Sequence, residues 1–254
     1  IEDYVKLLCR EIAITGRIAK EKSLRLETVY IGGGTPTALE AYHLTEIMTA
    51  ISRNFDLSNV REYTVEAGRP DVTTKEKLIA IKKGGATRIS INPQTMNDSV
   101  LEAIGRKHTA KEMTDAFKTA REIGFNNINV DLIAGLPTDT LEGFKYSVEE
   151  ILKLNPESVT VHSLSVKKAS NISINGNLPE TSKWEATKEM VRFAKDSLTK
   201  AGITPYYMYR QSKTVGNLEN VGYAKEGFEG LYNVYIMDET HTILACGASG
   251  VTKL

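Results

Sequence analysis

Cysteine is scarce: Cys9 and Cys246 are the two in 254 residues. Two thiols that far apart supply neither a disulfide framework nor a four-thiolate metal site. A reducing, cytoplasmic setting is the expectation that follows. Charge of either sign is not in excess, because Lys and Arg total 32 and so do Asp and Glu. No bulk field therefore draws the chain to nucleic acid or to an anionic membrane surface. No apolar run reaches the roughly 20 residues that a spanning helix needs. The first residues do not read as a basic-then-apolar signal segment. No internal repeat or low-complexity stretch stands out.

What is present is ordinary for a globular protein, with 41% hydrophobic and 25% charged residues. The length suits one large α/β domain or two smaller ones. Thr28–Ile31 is a β-rich run that stops at Gly32-Gly-Gly-Thr-Pro-Thr37, and a helical stretch with Leu44, Ile47, Met48 and Ile51 on one face follows. Glu62–Glu66, Thr87–Ile91, Asn127–Ile133 and Ser158–His162 read as further strands. Thr73 with Glu76, and Thr109 with Glu112, read as capping boxes, and Ser182 with Glu185 caps a last long helix. Strands alternating with capped helices predict a parallel sheet with right-handed crossovers, open or closed into a barrel. The segment from Ile1 to Ile12 already reads as a running helix, which implies a strand before it and six in all. From Thr204 the rhythm changes. Pro205–Gln211 is strand-like, Asn217–Gly230 reads as loop, and Leu231–Ile236 with Thr240–Ala245 reads as a β-hairpin. The division expected is residues 1–203 as partial barrel and 204–254 as an antiparallel β extension.

The polar residues cluster where strands end. The first strand runs into Gly33, Gly34 and Thr35, the second ends in Glu66, and the third runs on to Gln94. The fourth carries Asp131, and Ser165 lies just past the fifth. In a parallel barrel the C-terminal strand ends share one face, and that face holds the active site. Bare glycine backbone lets an extended ligand lie along a strand edge. Glu66 would attract an ammonium, Asp131 would take a ribose hydroxyl, and Arg106 would meet a carboxylate. A zwitterionic nucleoside suits that set, as other nucleosides do. Plainer readings stay open: a tight turn at Gly32–Gly34, a capping role for Glu66, an internal ion pair for Asp131. The glycines fit neither a phosphate loop nor a dinucleotide fingerprint. His43, His108, His162 and His241 are scattered; His162 lies near a strand end, where a structural histidine is the plainer reading. Tyr206, Tyr207 and Tyr209 suit a flat apolar ligand or an ordinary core strand alike.

Ile31-Gly-Gly-Gly-Thr-Pro-Thr37, Thr64-Val-Glu66, Ile91-Asn-Pro-Gln94 and Asn129-Val-Asp-Leu-Ile-Ala-Gly-Leu-Pro137 resemble the oxygen-independent coproporphyrinogen III oxidase (dehydrogenase) family of radical S-adenosylmethionine (SAM) enzymes. The match runs over nearly the whole chain. Tyr206–Gln211 and Asn217–Tyr223 are similar to the Firmicute-type coproporphyrinogen dehydrogenase branch. The resemblance implies a partial (β/α)6 barrel whose first strand is missing. It implies that Gly33, Glu66 and Val251 contact a cluster-bound SAM. It also implies that Gly34, Thr35, Gln94, Arg106, Asp131 and Ser165 hold a second SAM.

The implied reaction is oxidative decarboxylation of coproporphyrinogen III propionates to vinyl groups in haem biosynthesis, with an electron donor as partner. One departure is large. The family holds a [4Fe–4S] cluster on Cys-x-x-x-Cys-x-x-Cys, and no such motif occurs here. Cys9 lies on an apolar face with Val5, Leu8 and Ile12, and reads as a packing residue. The expectation is a full-length enzyme with the cluster segment upstream, and a fragment that is inactive by itself. The alternatives are a haem-binding chaperone of the same branch, or a cluster-free nucleotide-binding barrel.

Overall fold

A computed structural model describes residues 1–165, 181–210 and 217–254, with side chains from 184 onward in the second stretch. Five strands, β1 (Thr28–Ile31), β2 (Glu62–Gly68), β3 (Arg88–Gln94), β4 (Ile128–Ala134) and β5 (Ser158–Ser163), lie parallel in sequence order. Helix α1 (Glu2–Glu21) precedes them. Helices α2 (Ala41–Asn54), α3 (Lys75–Lys83), α4 (Asp98–Ala103), α5 (Ala110–Ile123) and α6 (Leu141–Leu154) connect them. Helix α7 (Thr181–Lys200) leads from β5 to β6 (Thr204–Tyr209), and β7 (Asn220–Ala224) follows. β7 inserts between β5 and β6, antiparallel to both. Two antiparallel steps restore direction, so β6 runs the same way as β1 to β5. The result is a curved, mixed seven-stranded sheet, half of a barrel.

The two faces of that sheet differ, and the difference is written in alternation. Val65, Ala67, Ile89, Ile91, Val130, Leu132, Val159 and Val161 are all buried. They pack with Leu44, Ile47 and Met48 of α2, Leu78 and Ile81 of α3, Phe117 of α5 and Phe144 of α6. Residues one step along each strand point the other way, and these are mostly polar: Glu62, Thr64, Glu66, Arg88, Ser90, Asn129, Asp131, Ser158, Thr160 and His162. A parallel sheet apolar on both faces reads as continuous hydrophobic runs. This one alternates, so its concave face is left for something polar. On the convex side, Phe117, Phe125 and Phe144 are essentially sealed from solvent. Each contributes about 1.5–3 kcal/mol by leaving water.

Most helix starts follow local chemistry. The box at Thr109 and Glu112 forms on both sides. At α3 the cap is Thr74, not Thr73: its hydroxyl accepts from Lys77 N–H, while Thr73 donates to the carbonyls of Ala67 and Arg69. The Ser182 cap lies outside the described side chains. Two other expectations change. Residues 231–245 are not a hairpin: Leu231–Asp238 is helix α8. The stretch expected to be loop contains β7. The antiparallel part of the molecule is therefore β6 and β7, built into the main sheet. Helix α8 touches both β1 and β6, the two edge strands, and spans the open side of the half-barrel.

Candidate functional site

The strand register sets polar side chains in rows across the concave face. Glu66 lies beside Ser90, Ser90 beside Asn129, and Asn129 beside Ser158. Two residues further along β4, Asp131 lies beside Thr160, which lies beside Gly222 and then Tyr207. The lower part of this face is closed. Glu62 is buried and accepts from the N–H groups of Leu231 (2.9 Å) and Tyr232 (3.2 Å), capping α8 from 169 and 170 residues away. Buried Arg88, beside Thr64, donates to Ser158 Oγ at 3.0 Å. The upper part is more open: Glu66, Asn92, Asp131, His162, Tyr207 and Tyr209 are only partly buried.

The glycine-rich turn sits at the top of β1 and is clamped onto β2. Thr37 Oγ1 donates to the Ala67 carbonyl, and buried Lys77 donates to the Thr37 carbonyl at 2.8 Å. The Thr35 methyl lies against Gly68. Gly33 has φ +110°, a conformation that side chains resist, and a Cβ on Gly33 or Gly34 would meet nothing within 4 Å. The turn therefore presents bare backbone to open space. The Gly33 N–H also donates to the Glu66 carboxyl. Tyr30 donates to the same carboxyl from β1, and its ring stacks on Tyr232 of α8 at 4.3 Å. Burial raises the Glu66 carboxyl above its ordinary range, and the charge of Asp131 adds to the rise. Burial also raises the Tyr30 phenol, with Glu66 reinforcing it, so Tyr30 stays a donor.

Gln94 is buried at the top of β3 with φ 72°, where the pairing with β4 shifts register. A non-glycine residue in the left-handed region stores strain of about 1–3 kcal/mol, a feature that gathers at ligand sites. Next to it, the Pro93 carbonyl lies 3.2 Å from His108 Nε2. Arg106 is half-buried in the loop after α4. Burial lowers its guanidinium, and the positive charge of Arg69 lowers it further. Ser165 lies two residues past the end of β5 and is half-buried.

Asp131 is the best-connected member. Asn129 Nδ2 donates to its Oδ1 at 2.7 Å and to Ser90 Oγ at 2.9 Å, while Thr160 donates to Asn129 Oδ1 at 3.2 Å. His162 Nε2 stands 3.7 Å from Asp131 Oδ2, and Tyr209 Oη is 3.3 Å from His162 Nδ1. Burial pushes the Asp131 carboxyl up, but His162, Asn129 and Thr160 outweigh it, and the net position is below the ordinary value. Two carboxylates on one face are thus pushed apart: Glu66 up, Asp131 down.

The glycine turn, Glu66 and Asp131 come together on the concave side; Gln94 ends β3 between them, paired with core-facing Leu132, and Arg106 lies near Arg69 and Asp71 past the end of β2. Val251 does not join them. It is 72% exposed, in a segment whose neighbouring groups bond to α1, Gly247 to Glu11 and Cys246 to Thr15. Sequence reasoning from strand ends missed Tyr30, Ser90, Asn129 and Thr160, and left His162 as structural. The available signal was the alternation itself, polar at every second position in five successive strands.

A family model of the radical SAM superfamily matches residues 2–151. The chain belongs to that superfamily. It is 43% identical over 244 residues to the oxygen-independent coproporphyrinogen-III oxidase-like protein HemZ of Bacillus subtilis, covering 96% of this chain and 49% of that protein. It is 35% identical to the heme chaperone HemW of Bacillus subtilis, covering 98% of this chain and 63% of the relative. The chain therefore spans about half to two thirds of these relatives. Among solved structures, coproporphyrinogen III oxidase HemN from Escherichia coli superimposes with a TM-score of 0.78 at 20% identity, over 99% of this chain and 57% of that one. That likeness concerns the fold.

Membership in the superfamily implies SAM and a [4Fe–4S] cluster, and the two fit these residues differently. SAM fits. The open space over Gly33 and Gly34 accepts an extended moiety, two carboxylates face it, and Thr64 Oγ1 on the same face is buried with no hydrogen-bond partner. The cluster does not fit. Among the described residues no group of three or more His, Cys, Asp or Glu could hold a metal. Burial raises both the Cys9 and the Cys246 thiol, so neither is poised as a thiolate. A cavity of ≈ 410 Å³ runs along the free edge of β1, with Leu8, Ile12, Ile51, Ile236 and Leu244 in its wall, and reaches Tyr30, Gly32 and Tyr232. It is mainly apolar, and Glu66, Gln94 and Asp131 do not line it. Among the described residues no helix is long and apolar enough to cross a membrane.

Proposed function

We propose that the concave face binds S-adenosylmethionine, and that this barrel belongs to an enzyme acting on the propionate side chains of coproporphyrinogen III. The observation that supports the reading is that the Gly33–Gly34 turn, Glu66 and Asp131 lie within electrostatic reach of one another at the ends of consecutive parallel strands, with Gln94 at the end of the strand between Glu66 and Asp131. The roles follow from chemistry. With the Gly33 N–H turned to Glu66, the turn offers the Gly34 N–H and its C=O groups to an amino-acid moiety without side-chain obstruction. Glu66 is neutralised cheaply by a ligand ammonium, because burial leaves its charge uncompensated. Asp131 is kept ionised and accepts hydroxyl groups. Arg106 meets a carboxylate, and Gln94 offers a rigidly placed amide. This chain would orient bound SAM and limit water around it; the electron that makes SAM a hydrogen abstractor would come from a reduced [4Fe–4S] cluster held outside the described residues.

The substrate assignment is supported by the relative called coproporphyrinogen-III oxidase-like. A second reading, a haem-binding chaperone, is supported by the relative called a heme chaperone. Either activity belongs to the longer protein, with an electron donor as a further partner of the enzyme. The ligand test is titration calorimetry with S-adenosylhomocysteine. Asp131→Asn removes the charge from a hydrogen bond that contributes about 1.5–3 kcal/mol, so affinity should fall roughly tenfold to a hundredfold. Gly34→Val should fall at least as far, by filling the cradle. Unchanged affinity in both variants would overturn the site. Parallel titration of coproporphyrin III and haem into the full-length protein separates the two substrate readings.

A further inference from the structure

His162 carries more than packing. It stands on β5, one strand from Asp131, with a side chain 27% exposed on the concave face. Its two ring nitrogens face different partners: Nδ1 is hydrogen-bonded to Tyr209 Oη at 3.3 Å, and Nε2 stands 3.7 Å from Asp131 Oδ2, within ion-pair range. Tyr209 is held in turn, its ring parallel to that of Tyr207 with centroids 6.2 Å apart. A phenol that donates to Nδ1 leaves the proton of a neutral imidazole on Nε2, where it faces Asp131. On the other side of the carboxylate, Asn129 holds Oδ1 at 2.7 Å. One oxygen is thus held by an amide hydrogen bond, the other has an imidazole within ion-pair range, and each keeps a lone pair for a ligand.

We propose that His162, oriented by Tyr209, is a positioning residue that aims the Asp131 carboxylate at a vicinal diol, the ribose 2′- and 3′-hydroxyls of the nucleoside ligand. The inference rests on the nucleoside reading of the concave face, with Asp131 as its hydroxyl acceptor, and adds the residues that orient that acceptor. Its physical content is geometric. A free carboxylate rotates about its terminal bond, and two hydroxyls engage it together only in a narrow range of angles. Fixing Oδ2 from β5 and Oδ1 from β4 sets that angle before the ligand arrives. The depressed Asp131 carboxyl agrees with such a fixed acceptor.

The test compares two probes, S-adenosylhomocysteine and its 2′,3′-dideoxy analogue, by titration calorimetry on the full-length protein. The ratio of the two affinities isolates the diol. Wild type should prefer the diol by about tenfold or more, the size of a hydrogen bond to a charged acceptor. In His162→Leu the ratio should shrink to about threefold or less, with affinity for the dideoxy probe unchanged. His162→Gln places an amide near the lost Nε2–H and should restore most of the ratio. Tyr209→Phe, which leaves the histidine in place, should lower the ratio partway and serves if His162→Leu does not fold. A merely structural His162 would weaken both probes alike, and that result overturns the proposal. So does a ratio unchanged in both His162→Leu and Tyr209→Phe. A wild-type protein that binds both probes equally well ends this inference and spares the nucleoside reading. One that binds neither removes both.

Discussion

Asn129→Ala removes the residue that ties three strands of the concave face together. Asn129 is buried and makes three side-chain bonds: to Asp131 at 2.7 Å, to Ser90 at 2.9 Å and from Thr160 at 3.2 Å. The bond to the carboxylate contributes about 1.5–3 kcal/mol, and each neutral bond about 0.5–1.5 kcal/mol. Their sum is about 2.5–6 kcal/mol. Asp131 is 18% exposed, so water takes over part of its lost bond, and the expected cost is at the lower end, about 3 kcal/mol. For a chain of this size each kcal/mol lowers the melting temperature by about 2–4 °C, so the variant should melt about 6–12 °C below wild type at neutral pH. The same change removes a donor from Asp131, so its carboxyl should titrate higher than in wild type. A double-mutant cycle with Asp131→Asn isolates the contact and should show a coupling of about 1 kcal/mol or more. Melting within about 2 °C of wild type, together with strict additivity, would refute the network as drawn.

Glu66→Gln should stabilise the ligand-free protein at neutral pH. The carboxyl is raised above 4.5 in the folded state by burial, so ionising it opposes folding as pH rises from that value through the folded one. The gain in melting temperature should disappear below about pH 4.5, and a gain independent of pH would contradict the assignment. Glu62→Gln replaces a buried acceptor of two N–H groups at the α8 terminus. It should cost about 2–3 kcal/mol and speed amide exchange at Leu231 and Tyr232; unaltered exchange there would sink the account of how α8 is held. Gly222→Ala places a methyl group in the Tyr207 ring. It should destabilise by about 1–3 kcal/mol, and Tyr207→Ala in the same chain should relieve most of that cost, as thermal melts of the single and double variants would show.

The five parallel strands were legible because each is a short β-branched run bounded by turn residues, and the helices between them, α2 excepted, carry their own caps. Thr109 and Glu112 are an instance in which a local motif suffices. The candidate site was legible in part, through polar residues at strand ends: Glu66 and Asp131 alternate onto the same face, while Gln94 follows a register shift. The residues that hold them were harder to see. Asn129 sits inside a motif read for its aspartate, and its partners Ser90 and Thr160 lie on other strands. Tyr30 became meaningful only when β1 was set beside β2. The C-terminal region failed for a different reason. Leu231–Ile236 has the β-branched and aromatic composition of a strand, yet forms a helix whose first N–H groups are satisfied by Glu62, far away in sequence. β7 is short and contains Gly222; its pairing with β5 and β6, and the Tyr207 ring lying on that glycine, define it as a strand. Tertiary contacts override local preference in both cases.

The central claim is that the carboxyl ends of β1 to β4 surround one adenosyl ligand. A crystal structure with S-adenosylhomocysteine tests it directly. The account predicts the amino-acid moiety along Gly33–Gly34 and the ribose within hydrogen-bond distance of Asp131. Ligand bound instead in the apolar cavity along the free edge of β1, with the concave face empty, would contradict it.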